Sequence, residues 1–292
     1  MPTIREFISS EAGARFFGVY DRLLDRWPAD REVRDIETAF GTTRVTSVGP
    51  QGAAPLVFLP GGGASAMGWT EVARRLGADR RVIAVDLIGD IGRSVPGASP
   101  PRTPADLVAW LSQVLDALPG ADPGRPIVVG HSYGAMIAVA HALAEPDRIG
   151  RLVLLDPTSV FGGMKVGYLL HAIPVLARPT AARQRRFLEW ETAGIALDPD
   201  WLDLLTRGAG EFPSSRPVVP RRPRRSALDA LAVPTAVILA GRSRVHDAAQ
   251  IARRAERTPA VTDVHVIADA SHHGLPMHPA TELAATLRAV LD

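Results

Sequence analysis

The stretch that most restricts this chain is Gly130–His131–Ser132–Tyr133–Gly134. An apolar run, Pro126–Ile127–Val128–Val129, leads into it. A helical pattern leaves it, with Met136, Val139 and Leu143 on one face and Ala135, Ala138 and Ala142 beside them. A buried strand should therefore turn sharply into a helix. A serine at such a turn is lifted above the sheet edge with its hydroxyl exposed, and the helix N-terminus behind it favours negative charge. Glycine at 130 and 134 leaves space where a side chain would collide across the turn.

Strand, G-x-S-x-G pentapeptide and helix together resemble the nucleophile elbow of the α/β-hydrolase superfamily. The resemblance runs from about Phe40 to the C-terminus. It implies a mostly parallel eight-stranded sheet flanked by helices, with a helical cap inserted after the sixth strand. At 292 residues the chain is long enough for one such domain with a modest insertion. There are no cysteines, which excludes disulfides, thiolate catalysis and Cys-ligated zinc. The formal charge is +2 and Lys165 is the only lysine, so the basicity is carried by arginine. No basic helix with interleaved aromatics appears, so nucleic acid is not an expected partner. No apolar run approaches the roughly 20 residues of a membrane span. The segment from Met1 to Phe17 carries Glu6, Glu11 and two arginines, unlike a signal peptide. These features point to a cytoplasmic enzyme with no membrane partner.

Residues 1–30 read as an N-terminal helical extension. Phe16, Phe17, Tyr20, Leu23, Leu24 and Trp27 recur at helical spacing until Pro28 stops the run. That face either packs on the core or cap, or lines a substrate entrance. The hydrolase core is expected over 31–157 and 226–292. It begins with a hairpin around Gly41, then a third strand, Leu56–Leu59, that runs into Pro60–Gly61–Gly62–Gly63. Related hydrolases carry His-Gly-x here, and Pro60 takes the place of that histidine. By position, the resemblance makes the Gly62 and Tyr133 N–H groups the oxyanion-hole donors. A fourth strand ends at Asp86, and the loop beyond it resembles the family's D-x-x-G-x-G-x-S, with Asp86 and Arg93 in structural roles. Thr103–Pro104–Ala105–Asp106 starts a helix with a capping threonine and an acid three residues on.

After the sixth strand, Leu152–Leu155, strand alternation stops. Residues 158–225 hold helical stretches around Tyr168–Leu176, Ala181–Thr192 and Pro199–Thr206, where the family inserts its cap or lid. Phe161, Met164, Tyr168, Leu169, Phe187, Trp190 and Trp201 there either shape an acyl or alcohol pocket or form the cap's own core. Pro213–Arg225 reads as a stiff return linker whose arginines could also meet an anionic substrate. Thr235–Leu239 and Val264–Ile267 are the seventh and eighth strands, and Leu283–Leu291 is the closing helix.

A serine hydroxyl needs a base. The family places that histidine after the last strand, and Ser271–His272–His273–Gly274 follows the eighth strand here. The resemblance assigns the base to His272, with His273 as the neighbouring alternative; His131 and His278 are read as structural. The third member should be an acid that holds the imidazole. The family usually carries it as Gly-x-x-Asp or Gly-x-x-Glu after the seventh strand, but this chain reads Gly241–Arg242–Ser243–Arg244. Two replacements stand open. Asp156 ends the sixth strand, 24 residues past Ser132, where certain haloalkane dehalogenases take their acid. Asp247 lies three residues beyond Arg244 but also suits a helix N-cap. Asp156 is the first choice. The resemblance implies a carboxylesterase-like serine hydrolase acting on a small-molecule ester, with no cofactor and no metal. Lactone, thioester or C–C bond hydrolysis uses the same residues, and a catalytically weak ligand-binding or receptor module is the reading from a different class.

Overall fold

The computed structural model describes residues 3–52, 54–118 and 125–291. Residues 1–2 of the expected N-terminal extension and residues 53, 119–124 and 292 of the expected core lie outside these. Nine strands form one sheet: β1 (Glu32–Thr38), β2 (Gly41–Val48), β3 (Leu56–Leu59), β4 (Val82–Val85), β5 (Val95–Pro96), β6 (Ile127–His131), β7 (Arg151–Leu155), β8 (Thr235–Ala240) and β9 (Val261–Ile267). Eight of them run in the order β1-β2-β4-β3-β6-β7-β8-β9, and the two-residue β5 pairs with β2. β5 was not expected; two residues give no readable alternation. The β1–β2, β2–β4 and β2–β5 pairs are antiparallel, and the rest of the sheet is parallel.

β3, β4 and β8 are buried at every position, as is β7 beyond Arg151. Both sheet faces are covered, so these strands read as continuous apolar runs instead of alternating ones. One face packs on α2 (Glu11–Leu24), α3 (Thr70–Leu76) and α11 (Ala280–Leu291). The other packs on α4 (Pro104–Ala117), α5 (Tyr133–Ala144) and α10 (Ala248–Ala255). α4 opens with the expected capping box, Thr103 and Asp106 each bonding the other's backbone N–H. Trp110 of α4 is fully buried, and its indole N–H donates to Thr43 Oγ1 at 2.8 Å. α11 begins at Ala280 and β9 at Val261, both three residues earlier than the sequence suggested.

The N-terminal segment forms α1 (Ile4–Ile8) and α2, and its aromatic face is core, not entrance. Phe16, Phe17, Tyr20, Leu23 and Trp27 are buried, and Phe7 stacks edge-on to Phe212 at 5.2 Å. Tyr20 donates to the buried Asp86 carboxylate at 2.8 Å. Asp86 also accepts the Ala66 and Arg93 backbone N–H groups, which fixes both neighbouring loops.

Between β7 and β8 the chain leaves the sheet for α6 (Val166–Ala177), α7 (Ala181–Glu191), α8 (Pro199–Glu211) and the short α9 (Arg225–Asp229). Arg22 and Arg26 of the N-terminal segment pair with Asp200, and Arg26 also with Asp198, which pins α8 to α2. Sheet order reverses between β3 and β6. The C-terminal ends of these two strands therefore leave in different directions and open a crevice, the place where parallel sheets bind ligands.

Candidate active site

Ser132 sits at that crevice, at the junction of β6 and α5. Its backbone has φ 53° and ψ −111°. This is a region that L-residues avoid at a cost of about 1–3 kcal/mol. The surroundings enforce it. Ser132 N–H donates to Leu155 O at 3.1 Å, tying the turn to the end of β7. A side-chain carbon at Gly130 would lie 2.6 Å from Gly134 O, and one at Gly134 would lie 2.5 Å from Leu59 O. Any larger residue at either place would push the turn apart.

His272 follows β9 and is 2% exposed. Its Nε2 lies 2.9 Å from Ser132 Oγ, and its Nδ1 lies 2.6 Å from Asp156 Oδ2. The carboxylate accepts from Nδ1–H, so Nε2 is left to accept from the serine hydroxyl. The loop is held by four further hydrogen bonds. Glu191, fully buried at the end of α7, accepts the His272 and His273 backbone N–H groups at 3.2 and 3.1 Å and His273 Nδ1 at 2.9 Å. Burial alone would raise the Glu191 pKa, but these bonds and the two imidazoles hold it below the usual range. His131 Nε2 donates to the His272 carbonyl at 3.0 Å. Burial, with the neighbouring His272, pushes the His131 pKa well below normal, so this ring is neutral and structural.

Asp156 is fully buried just past β7, with φ 40°. Four donors meet it: His272 Nδ1 and Ser243 Oγ (2.8 Å) on Oδ2, and His246 Nε2 (2.8 Å) and Ala240 N–H (3.1 Å) on Oδ1. Burial opposes its charge, yet the hydrogen bonds from His246 and His272 outweigh that and hold its pKa well below the ordinary carboxylate value. Asp247 does not join this group. Its carboxylate accepts Gln250 N–H at 2.9 Å and caps α10, facing solvent. Arg244, at the position where the family carries its acid, lies over the Trp190 ring at 4.9 Å.

The Pro60–Gly63 turn presses on the elbow. A side-chain carbon at Gly61 would lie 3.0 Å from His131 Nδ1, and one at Gly62 would lie 3.6 Å from Tyr133 Cβ. The Gly63 N–H donates to Asp90 Oδ2 at 2.8 Å and the Ala64 N–H to Gly61 O at 3.2 Å. Tyr133 is the first residue of α5, so its N–H has no acceptor within the helix.

Two cavities flank this turn. A small one, about 30 Å³, is lined by Ser132, His272, Gly62, Gln184, Trp201 and Leu205, among others. A larger one, about 520 Å³, lies beyond Gly62, Gly63 and Tyr133, with Trp110, Ile137 and Phe212 in its wall. Of the seven insertion residues proposed for a pocket, only Trp201 lines either cavity. Tyr168, Phe187 and Trp190 pack on one another, Phe161 is sheet core, and Met164 and Leu169 face solvent. The linker after α8 crosses the larger cavity instead, and Tyr133 Oη donates to Val218 O at 2.6 Å.

The chain is similar to several known proteins. Carboxylesterase YbfK of Bacillus subtilis is 34% identical over 156 residues, 53% of this chain and 51% of YbfK. An uncharacterised carboxylesterase, nap, of the same organism is 33% identical over 153 residues, 52% of this chain and 49% of nap. The matched stretch thus spans about half the length of these curated relatives. Among solved structures, naproxen esterase (carboxylesterase NP) from Bacillus subtilis superposes with a TM-score of 0.84 at 26% identity, covering 96% of this chain and 99% of that one. The Alpha/beta hydrolase family matches residues 56–286, from the first strand of the crevice to the closing helix. With the raised serine, the reversal of strand order beside it and that match in agreement, the chain belongs to the alpha/beta hydrolase family.

Proposed function

We propose that this protein hydrolyses carboxylic esters through an acyl-enzyme, with Ser132 as nucleophile, His272 as general base and Asp156 as the acid. The observation that carries the reading is the unbroken chain Ser132 Oγ–His272 Nε2/Nδ1–Asp156 Oδ2, at 2.9 and 2.6 Å. The carboxylesterase names of the curated relatives, matched over about half their length, support the ester-hydrolysing part of the reading. Ser132 Oγ attacks the ester carbonyl and its proton passes to His272 Nε2. Asp156 stabilises the imidazolium that forms, and its own low pKa keeps it ionised while it does so. The oxyanion develops toward the Gly62 and Tyr133 N–H groups, where fixed donors stabilise charge without reorganising. His272 then returns the proton to the leaving alkoxide. Water, deprotonated by the same ring, attacks the acyl-enzyme, and Ser132 leaves with a proton from His272.

The insertion, 158–225, acts in this reading as a cap. It supplies Gln184, Trp201 and Leu205 to the small cavity at the serine and Val175, Leu176 and the linker to the larger one. The larger cavity is the candidate pocket for an apolar acyl or alcohol group. Residues 1–30 brace the cap through α8.

A fluorophosphonate probe tests the reading directly. One equivalent should attach to Ser132, and turnover of p-nitrophenyl acetate should stop with it. Ser132→Ala should remove labelling and lower turnover by about 10⁴-fold or more. A folded protein that binds ester analogues but takes no label would be a receptor, and the hydrolase reading would be lost.

A further inference from the structure

Most of the exposed face of α6 has no place in the ester chemistry; of its residues only Leu176, at the C-terminal end, also lines the larger cavity. Val166, Leu169, Leu170, Ile173 and Leu176 recur at helical spacing and point outward, with Val166 72% and Leu176 77% exposed. The opposite face is apolar too, since Tyr168, Ala172 and Val175 pack on the core. No residue of α6 is buried. An apolar helix left in water normally has something to cover it.

Charge identifies the occupant. Residues 157–188 and 212–228 contain ten of the chain's 33 Lys and Arg and none of its 31 Asp and Glu. The insertion as a whole, 158–225, holds eleven basic against six acidic residues, and the rest of the chain 22 basic against 25 acidic, so positive charge is concentrated on the insertion and, within it, away from 189–211. These cations border α6 on both sides. Arg183 and Arg186 of α7 share a surface hollow with Leu170 and Pro174. On the other side Arg222 reaches the start of the helix, where a side-chain carbon at Gly163 would lie 3.7 Å from Nη1. Arg216 lines the larger cavity together with Val175 and Leu176. Among the described residues, Arg186, Arg216, Arg221 and Arg222 meet no carboxylate within 4 Å.

We infer that α6 and its arginine border dock on an anionic lipid surface, the apolar ridge entering the headgroup–acyl boundary and the guanidinium groups meeting the phosphates. A second copy of the chain fits less well, because it would bring a like-charged border against this one. The sequence set membranes aside for want of a spanning segment, and none of the described helices is long and apolar enough to cross a membrane. A helix that lies in the surface needs no such length. The inference rests on exposure and charge alone, independently of the ester reading.

Co-sedimentation of the full chain with vesicles of phosphatidylglycerol or of phosphatidylcholine tests it. Binding should be about tenfold or more tighter to phosphatidylglycerol and largely lost in about 0.5 M NaCl, as screened electrostatics require. Leu170→Asp with Ile173→Asp should abolish binding, and Arg186→Glu with Arg222→Glu should weaken it at least tenfold, with unchanged thermal melting in both pairs. Ser132→Ala should bind as the parent does, which separates this result from the fate of the hydrolase reading. Equal binding to both lipids, or binding to neither, overturns the inference. So does a dimer in sedimentation velocity that the Leu170/Ile173 pair dissolves, because a second copy would then cover the ridge.

Discussion

His272 and His273 are adjacent, and each gives its Nδ1 to a carboxylate that is fully buried. Only one of them meets the serine. His272 Nε2 lies on Ser132, whereas the His273 ring stands edge-on to Phe187 at 5.6 Å and is 18% exposed. The carboxylates differ as well. Asp156 comes from the sheet and takes four donors from side chains and backbone. Glu191 comes from the insertion and fastens the loop that carries both histidines. A buried imidazole–carboxylate pair is thus not a catalytic device in itself. The two pairs differ in what the far nitrogen faces, a serine hydroxyl for His272 and no serine for His273.

The largest test of this contrast is Asp156→Asn. The amide keeps one acceptor oxygen but sets an NH2 against either His272 or His246, which bond different oxygens of Asp156, and facing His272 it misdirects the tautomer. Turnover should fall by about 10³–10⁴-fold with substrate binding nearly unchanged, as kcat and KM for p-nitrophenyl acetate would reveal. Near-full activity would remove Asp156 from the mechanism. Glu191→Gln comes next. It weakens two backbone anchors and one imidazole bond in a buried place, so stability should drop by about 2–3 kcal/mol. Turnover should fall roughly tenfold as His272 loosens, and both should show in urea melts and kcat. His273→Gln keeps a donor for Glu191 and should change kcat/KM by no more than about threefold. A loss as deep as that of Asp156→Asn would reverse the roles given to the two histidines.

The smallest effect concerns Asp90, which holds the Gly63 and Ile91 N–H groups beside the glycine turn. Burial raises its pKa to about 6 against those bonds, with the Asp86 charge adding to the rise. The cost of enclosing the charged form is therefore complete above pH 6 and fades as pH falls toward the unfolded value of about 3.9. Urea midpoints should favour Asp90→Asn more at pH 7 than at pH 4, and a pH-independent difference would show that Asp90 is already solvated.

Much of this could be read in the chain before folding. The elbow was legible because its two glycines and its flanking apolar runs are local. His272 was legible because the family places it by order along the chain. The choice between Asp156 and Asp247 was not, since it depends on which loop tip faces an imidazole 116 or 25 residues away in sequence. Asp247 stood open as acid or cap, and its carboxylate caps α10. His246 was missed, although a histidine and a serine in a loop that has lost its usual acid were a clue that the loop now donates instead. Glu191 was missed too. Its signal was its spacing of four from Phe187, which puts a charge on the buried stripe of α7. The larger cavity escaped notice because the chain that crosses it has no periodicity.

Asp156 N–H donates to Ile238 O at 2.7 Å and Ala240 N–H returns to its carboxylate, so this acid continues the β7–β8 ladder. Its coordinates are inherited from strand register and owe little to the bend between Gly241 and Asp247. Engineers could accordingly shorten, graft or randomise part of that bend while sparing Ser243 and His246, and the charged group would stay where the sheet sets it.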